Sequence, residues 1–159
     1  MTLQLHELVS PERIDCALGA TSKKRLLENL STLMRAGNPQ LDDHAAFQCL
    51  IERERLGSTG VGNGIAIPHG RMRGLDKAVG AFAILKSDMD YDAIDNKPVK
   101  MVFALLVPEN TTDEHLQLLS QIARMMADEG YRKRLLAART GDEVYAVLCD
   151  ADLEYQKAS

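Results

Sequence analysis

The sequence predicts an α/β fold, on three observations. The apolar runs Ala78–Leu85 and Met101–Val107 are too short for the ~20 residues of a membrane-crossing helix and suit buried strands. Segments of helical periodicity come before and after them, which is the pattern of a helix-flanked sheet. The chain has 159 residues, 45% of them hydrophobic and 26% charged, which matches one ordinary globular domain with a real core. No internal repeat or low-complexity linker interrupts it. A single domain over 3–150 is therefore expected, with 151–159 as a frayed C-terminal tail.

The elements follow in order. Ser22 can cap a helix whose apolar stripe is Leu26, Leu27, Leu30, Leu33 and Met34, and Gly37 and Pro39 stop it. Asp42 or Asp43 can cap a second helix carrying Ala46, Phe47, Cys49, Leu50 and Arg53, ending near Gly57. A glycine-rich loop comes next, with a short strand at Ile65–Ile67. Val79–Leu85 and Val99–Val107 are the core strands, and Asp95-Asn96-Lys97-Pro98 turns the chain between Tyr91–Ile94 and the second of them. Thr111–Glu114 matches a capping box ahead of a helix with Leu118, Leu119, Ile122, Met125 and Met126, which Gly130 breaks. Two shorter helices, near Tyr131–Ala138 and Asp142–Cys149, close the domain.

Composition narrows the function classes. A formal net charge of −4 gives no electrostatic reason to expect nucleic acid. Cys16, Cys49 and Cys149 are odd in number and widely spaced, without metal or redox spacing, which suits a reducing cytoplasm. The opening MTLQLHELVSPER lacks the basic start and apolar stretch of a secretory signal. The expectation is a cytoplasmic protein without membrane insertion.

The most informative stretch is Gly57-Ser58-Thr59-Gly60-Val61-Gly62-Asn63-Gly64-Ile65-Ala66-Ile67-Pro68-His69-Gly70-Arg71. Its glycines do not have the spacing of a dinucleotide fingerprint, and no Lys-Ser/Thr follows them as in a phosphate-binding loop. His69, between Pro68 and Gly70, is expected on an open loop. No HxxxH, HxxE or Cys/His cluster stands near it to make a metal site, and no G-x-S-x-G elbow suggests a hydrolase. What remains is the imidazole as a nucleophile toward a phosphoryl group, mostly neutral at cellular pH because its unperturbed pKa is ~6.5.

Such a site needs donors for phosphate oxygens. Arg53, just before the glycine run, has a guanidinium fork that suits a phosphate; within Glu52-Arg53-Glu54-Arg55 it also reads as a solvated surface charge. His115 shares a helix face with Leu118, Leu119 and Ile122, so it points toward the protein body. It is either a satisfied buried histidine or a second imidazole at a helix N-terminus, where anions are favoured. His6 and His44 have no supporting constellation and are expected at the surface.

The motifs Leu8-Val9-Ser10-Pro11-Glu12-Arg13-Ile14, Glu52-Arg53-Glu54, Gly57-Ser58-Thr59-Gly60, Ile65-Ala66-Ile67-Pro68-His69-Gly70 and Val107-Pro108-Glu109 followed by His115-Leu116 resemble the fructose/mannitol class of enzyme IIA in the bacterial phosphotransferase system. The resemblance runs in order from Leu3 to about Leu148. With the run Gly57 to Gly64, and without attached membrane or enzyme IIB segments, the chain looks most like the nitrogen-type regulatory members. The resemblance implies a mixed sheet with helices on both faces. It implies that His69 accepts the phosphoryl group, that His115 is its active-site partner and that Arg53 contacts the phosphate. Ser58, Thr59 and Gly70, inside the matching motifs, are further phosphate-loop candidates.

It also implies a stoichiometric phosphocarrier, needing no cofactor or metal, loaded by an HPr-like carrier that enzyme I and phosphoenolpyruvate feed. Regulatory targets would include potassium-transport or sensor components. A sugar-specific enzyme IIA serving a separate enzyme IIB, and an interaction module that takes no phosphate, are the alternatives. A carrier must dock around His69, and Val61, Ile65, Ile67, Leu116 and Leu119 are the candidate contacts. Val61 is expected exposed, and Ile67 and Leu119 are expected in the core.

Overall fold

The computed structural model describes residues 4–158 apart from 112; of residues 114 and 158 the backbone alone is described. The chain opens with a short helix, α1 (Leu5–Leu8), a 3₁₀ turn at Pro11–Arg13 and strand β1 (Ile14–Leu18). Helices α2 (Lys23–Met34) and α3 (Asp43–Arg55) follow, each started by a side-chain cap. Ser22 accepts from the Arg25 amide, and Asp42 accepts from the His44 and Ala45 amides; caps of this kind stabilise a helix by about 1 kcal/mol each.

The glycine-rich stretch is not a loop. It contains strands β2 (Gly60–Gly62), β3 (Ile65–Ala66) and β4 (His69–Met72). Asn63 and Gly64 turn β2 into β3 with positive φ of 58° and 77°, the backbone that a tight hairpin requires and that Asn-Gly adopts readily. The long strands β5 (Val79–Met89) and β6 (Val99–Pro108) come next, then helices α4 (Asp113–Ala127), α5 (Glu129–Ala137) and α6 (Gly141–Ala158).

Six strands form one mixed sheet in the order β1-β5-β6-β3-β2, with β4 also on β6. β1 runs parallel to β5, β5 antiparallel to β6, and β3 and β4 both parallel to β6. β3 and β4 are successive pieces of one path along β6, broken at Pro68, whose carbonyl accepts from the Leu105 amide at 2.9 Å.

Each face of the sheet has its own core. On one face Ile65, Ile67, Met101, Phe103, Leu105 and Val107 pack with residues of α1, α4, α5 and α6. On the other, Ala66, Val102, Ala104 and Leu106 pack against α2 and α3. The period-two alternation of β6 feeds both cores, which is why its sequence is apolar throughout. Phe82 and Phe103 lie opposite each other in the β5–β6 register, edge to face at 6.1 Å; such pairs add about 0.5–1.5 kcal/mol beyond their burial.

The tail prediction is corrected. α6 continues through residues 151–157, with Ala151 and Asp152 buried. Asp152 accepts from the amides of Leu5 and His6 at 2.8 and 2.9 Å, and from His6 Nδ1 at 2.6 Å. The C-terminal helix therefore closes over the first helix, and His6 is half-buried in that contact; His44 is exposed as expected.

Gly130 does not break a helix. Asp128 does, ending α4 and capping α5 by accepting from the Gly130 and Tyr131 amides. Tyr91–Ile94 is irregular, although Tyr91 is fully buried. The capping-box expectation at Thr111–Glu114 rests on side chains outside the described residues.

Candidate functional site

Strand alternation places the site. His69 opens β4 opposite Leu105 of β6, so its side chain shares the sheet face of the Leu105 core. α4 begins over that face, and its first turn carries His115, which is buried. The two rings meet at 5.5 Å between centroids, tilted by 54°. His69 is half-buried on an edge strand rather than presented on an open loop.

The ring nitrogens are differentiated. Nδ1 of His69 donates to the Ile67 carbonyl at 2.8 Å. That carbonyl can only accept, so Nδ1 carries the proton and Nε2 keeps its lone pair. Nδ1 of His115 is buried without a hydrogen-bond partner. Burial pushes the pKa of both histidines down. The charge of Arg53 lowers His69 further, against the opposing Ile67 bond and Glu54, and His69 and Arg71 lower His115 further.

Arg53 sits in the last turn of α3, half-buried, with Nη1 donating to the Gly57 carbonyl at 2.9 Å. It is held at the start of the glycine-rich stretch, with its charge felt at His69. Arg71 lies two residues beyond His69 on β4, hence on the same face, and is exposed. Sequence reasoning passed over it, although the i, i+2 spacing from His69 is the signal that finds it.

Ser58, Thr59 and Gly70 serve the frame. The Ser58 hydroxyl donates to the Tyr91 carbonyl at 2.9 Å and accepts from the Gly60 amide. Thr59 is buried, and its amide and hydroxyl both donate to the Glu54 carboxylate, at 2.9 and 2.7 Å. Gly70 faces α3, where an added Cβ would stand 2.6 Å from Cys49 Sγ.

Glu54 was also missed. It is buried, at 7% exposure, one helical period beyond Leu50 and two beyond Ala46 on the buried face of α3. A carboxylate landing on an apolar stripe was the available signal.

Around the site Val61 and Leu116 are exposed, Leu119 is half-buried, and Ile65 and Ile67 are core. Ile65 is thus withdrawn from the candidate docking contacts along with Ile67. Among the described residues no group of three or more His, Cys, Asp or Glu is placed to hold a metal ion. Among the described residues no helix is long and apolar enough to cross a membrane.

Residues 7–151 match the family described as "Phosphoenolpyruvate-dependent sugar phosphotransferase system, EIIA 2". A nitrogen regulatory protein of Pseudomonas aeruginosa is 42% identical over 148 residues, covering 93% of this chain and 96% of that protein. One of Escherichia coli K12 is 42% identical over 152 residues, covering 95% and 93%. The crystal structure of nitrogen regulatory protein IIA-Ntr from Neisseria meningitidis superposes with a TM-score of 0.84 at 41% identity, covering 91% of this chain and 98% of that one. IIA mannitol from Escherichia coli, at 22% identity and a TM-score of 0.70, shares the fold. The chain belongs to the EIIA 2 family of the phosphotransferase system and is most similar, among these relatives, to its nitrogen regulatory proteins.

Proposed function

We propose that this protein accepts a phosphoryl group on Nε2 of His69 from the phosphohistidine of an HPr-like carrier and regulates other proteins by its phosphorylation state. The observation that supports this most directly is the division of labour at His69: Nδ1 is bound to the Ile67 carbonyl, and Nε2 carries the lone pair beside His115.

The chemistry follows from that arrangement. The Nε2 lone pair attacks phosphorus, a P–N bond forms to His69, and the P–N bond to the carrier's imidazole breaks. Positive charge develops on the His69 ring, and the Ile67 carbonyl on Nδ1–H stabilises it. His115, Arg53 and Arg71 supply donors and positive charge for the phosphoryl oxygens.

A phosphate adds up to about two negative charges at this surface. Targets with a basic face would distinguish the two forms, by roughly tenfold for one good charged contact; potassium-transport or sensor components are the candidate targets.

The test is incubation with enzyme I, an HPr-like carrier and phosphoenolpyruvate, with intact-mass measurement and site mapping. Titration of targets with phosphorylated protein and with His69→Ala then follows. Phosphate mapped to His115, Ser58 or Thr59 overturns the assignment. Equal affinities across all targets would favour the sugar-specific reading, in which the phosphoryl group passes to a separate enzyme IIB.

A further inference from the structure

The Ile67 carbonyl decides which nitrogen of His69 is nucleophilic, so whatever holds that carbonyl in place controls the site. The Ile67 amide donates to the Thr59 carbonyl at 3.0 Å. Thr59 in turn is gripped from its other side. Its amide donates to Glu54 Oε1 at 2.9 Å and its hydroxyl to Oε2 at 2.7 Å. The Thr59 hydroxyl oxygen lies 3.2 Å from the Tyr91 hydroxyl, which also meets the Glu54 carboxylate. Lys23 of α2 closes the cluster, with Nζ 3.4 Å from Glu54 Oε1 and 4.3 Å above the Tyr91 ring.

We propose that Glu54 is a positioning residue for phosphoryl transfer: through Thr59 and the backbone of Ile67 it holds the carbonyl that fixes the His69 tautomer, and so directs the phosphoryl group to Nε2. A buried carboxylate is a costly way to join two elements. Apolar residues of similar volume usually serve stability as well or better. An acid that accepts from both the amide and the hydroxyl of one residue fixes orientation as well as position. The path from carboxylate to imidazole alternates hydrogen bonds with the covalent backbone of Thr59 and Ile67, inside the segment that delivers His69. Arg53, next to Glu54 on α3, is aligned by the same clamp, because it bonds the Gly57 carbonyl at the head of that segment.

The inference rests on His69 being the acceptor, and the experiment separates the two. Nitrogen-15 NMR of the unphosphorylated protein reads the His69 tautomer directly, without any transfer. Wild type should show the Nδ1–H form. Glu54→Gln, which keeps the shape but turns an N–H toward the Thr59 donors, should show a mixture with the Nε2–H form. Thr59→Val should shift the same way by less, because its amide still reaches Glu54. Thr59→Ser should restore the wild-type pattern. In transfer assays the maximal rate of Glu54→Gln should fall at least about tenfold, the scale of a small misplacement of a reacting group. The carrier concentration for half-maximal rate should stay unchanged, and part of the product should be the Nδ1 phosphohistidine.

An unchanged tautomer in Glu54→Gln, or in Thr59→Val should the first not fold, overturns the proposal while wild type is still phosphorylated on His69. A wild type that takes no phosphate on His69 overturns the functional reading and the proposal together.

Discussion

The imidazoles of His69 and His115 stand 5.5 Å apart between ring centroids, and the lowering of the His115 pKa by burial is reinforced by the nearness of His69. Two cations so close would repel, and Arg53 and Arg71 add to that repulsion. The pair is therefore neutral in the unphosphorylated protein near neutral pH. A phosphoryl group on His69 reverses the local field and would favour a proton on His115.

That field has a pH signature. Both pKa values lie below the ordinary histidine range in the folded state. Phosphoryl acceptance should hold its plateau down to and below pH ~6.5, the unperturbed value, and fall once the pH passes the depressed pKa of His69. Stability follows the same sign. Above about pH 6.5 neither state binds these protons and their contribution is fully present; as the pH falls from there through the folded pKa values, the unfolded chain binds protons first and stability is lost. Urea unfolding at a series of pH values should show this decline, and His115→Ala should flatten it. A stability that is level or rises over that acidification would contradict the desolvated pair.

Removing either partner of His69 should slow transfer without creating another acceptor. Arg53→Ala and His115→Ala each lose one electrostatic donor, which typically costs about 10²–10³ in rate. Arg71→Ala, with an exposed side chain, should cost less and become indistinguishable from wild type at high salt. Stopped-flow transfer from the phosphorylated carrier measures all three. Wild-type rates in Arg53→Ala and His115→Ala would remove both residues from the site.

Gly70→Ala tests the contact between β4 and α3. The new methyl would fall 2.6 Å from Cys49 Sγ, and overpacking of this kind costs about 1–3 kcal/mol. Gly70→Ala with Cys49→Ala should recover part of the loss, although Cys49 Sγ also donates to the Arg71 carbonyl at 2.9 Å. Thermal unfolding of the two single variants and the double variant settles the coupling; strictly additive losses would show that the two sites do not meet.

Asp152→Ala tests the closure of α6 over α1. It would leave the buried Leu5 amide without its acceptor, a loss of about 1–3 kcal/mol. Amide hydrogen exchange should rise in residues 4–9 and in the last turns of α6, with transfer to His69 unaffected. Protection unchanged at Leu5 and His6 would mean that the tail does not hold the first helix.

Much of the fold was legible because it was local. Ser22 and Asp42 announced their helices through capping chemistry, and β5 and β6 through apolar runs too short for anything but buried strands. The hairpin inside the glycine-rich stretch was equally local and was still read as a loop, because the glycines outweighed the Asn63-Gly64 turn signal. β1 and α1 went unnoticed for a different reason. Five and four residues long, they carry little periodicity of their own and exist by pairing with β5 and by the contact with Asp152.

The site divides in the same way. The sequence by itself determined that His69, set between Pro68 and Gly70, was the candidate nucleophile, because residue type and short-range order carry that chemistry; Arg53 and His115 stood as candidates to serve it, with a surface charge and a buried core histidine as their other readings until the resemblance to enzyme IIA was added. The tertiary structure alone decided which nitrogen of His69 is free, that His115 faces it, and that Ser58 and Thr59 turn their hydroxyls to Tyr91 and Glu54. Those outcomes depend on the register of β4 against β6 and on α3 and α4 packing on opposite faces of the sheet. A one-residue slip in that register would carry every β4 side chain to the other face, and no short stretch of sequence specifies it.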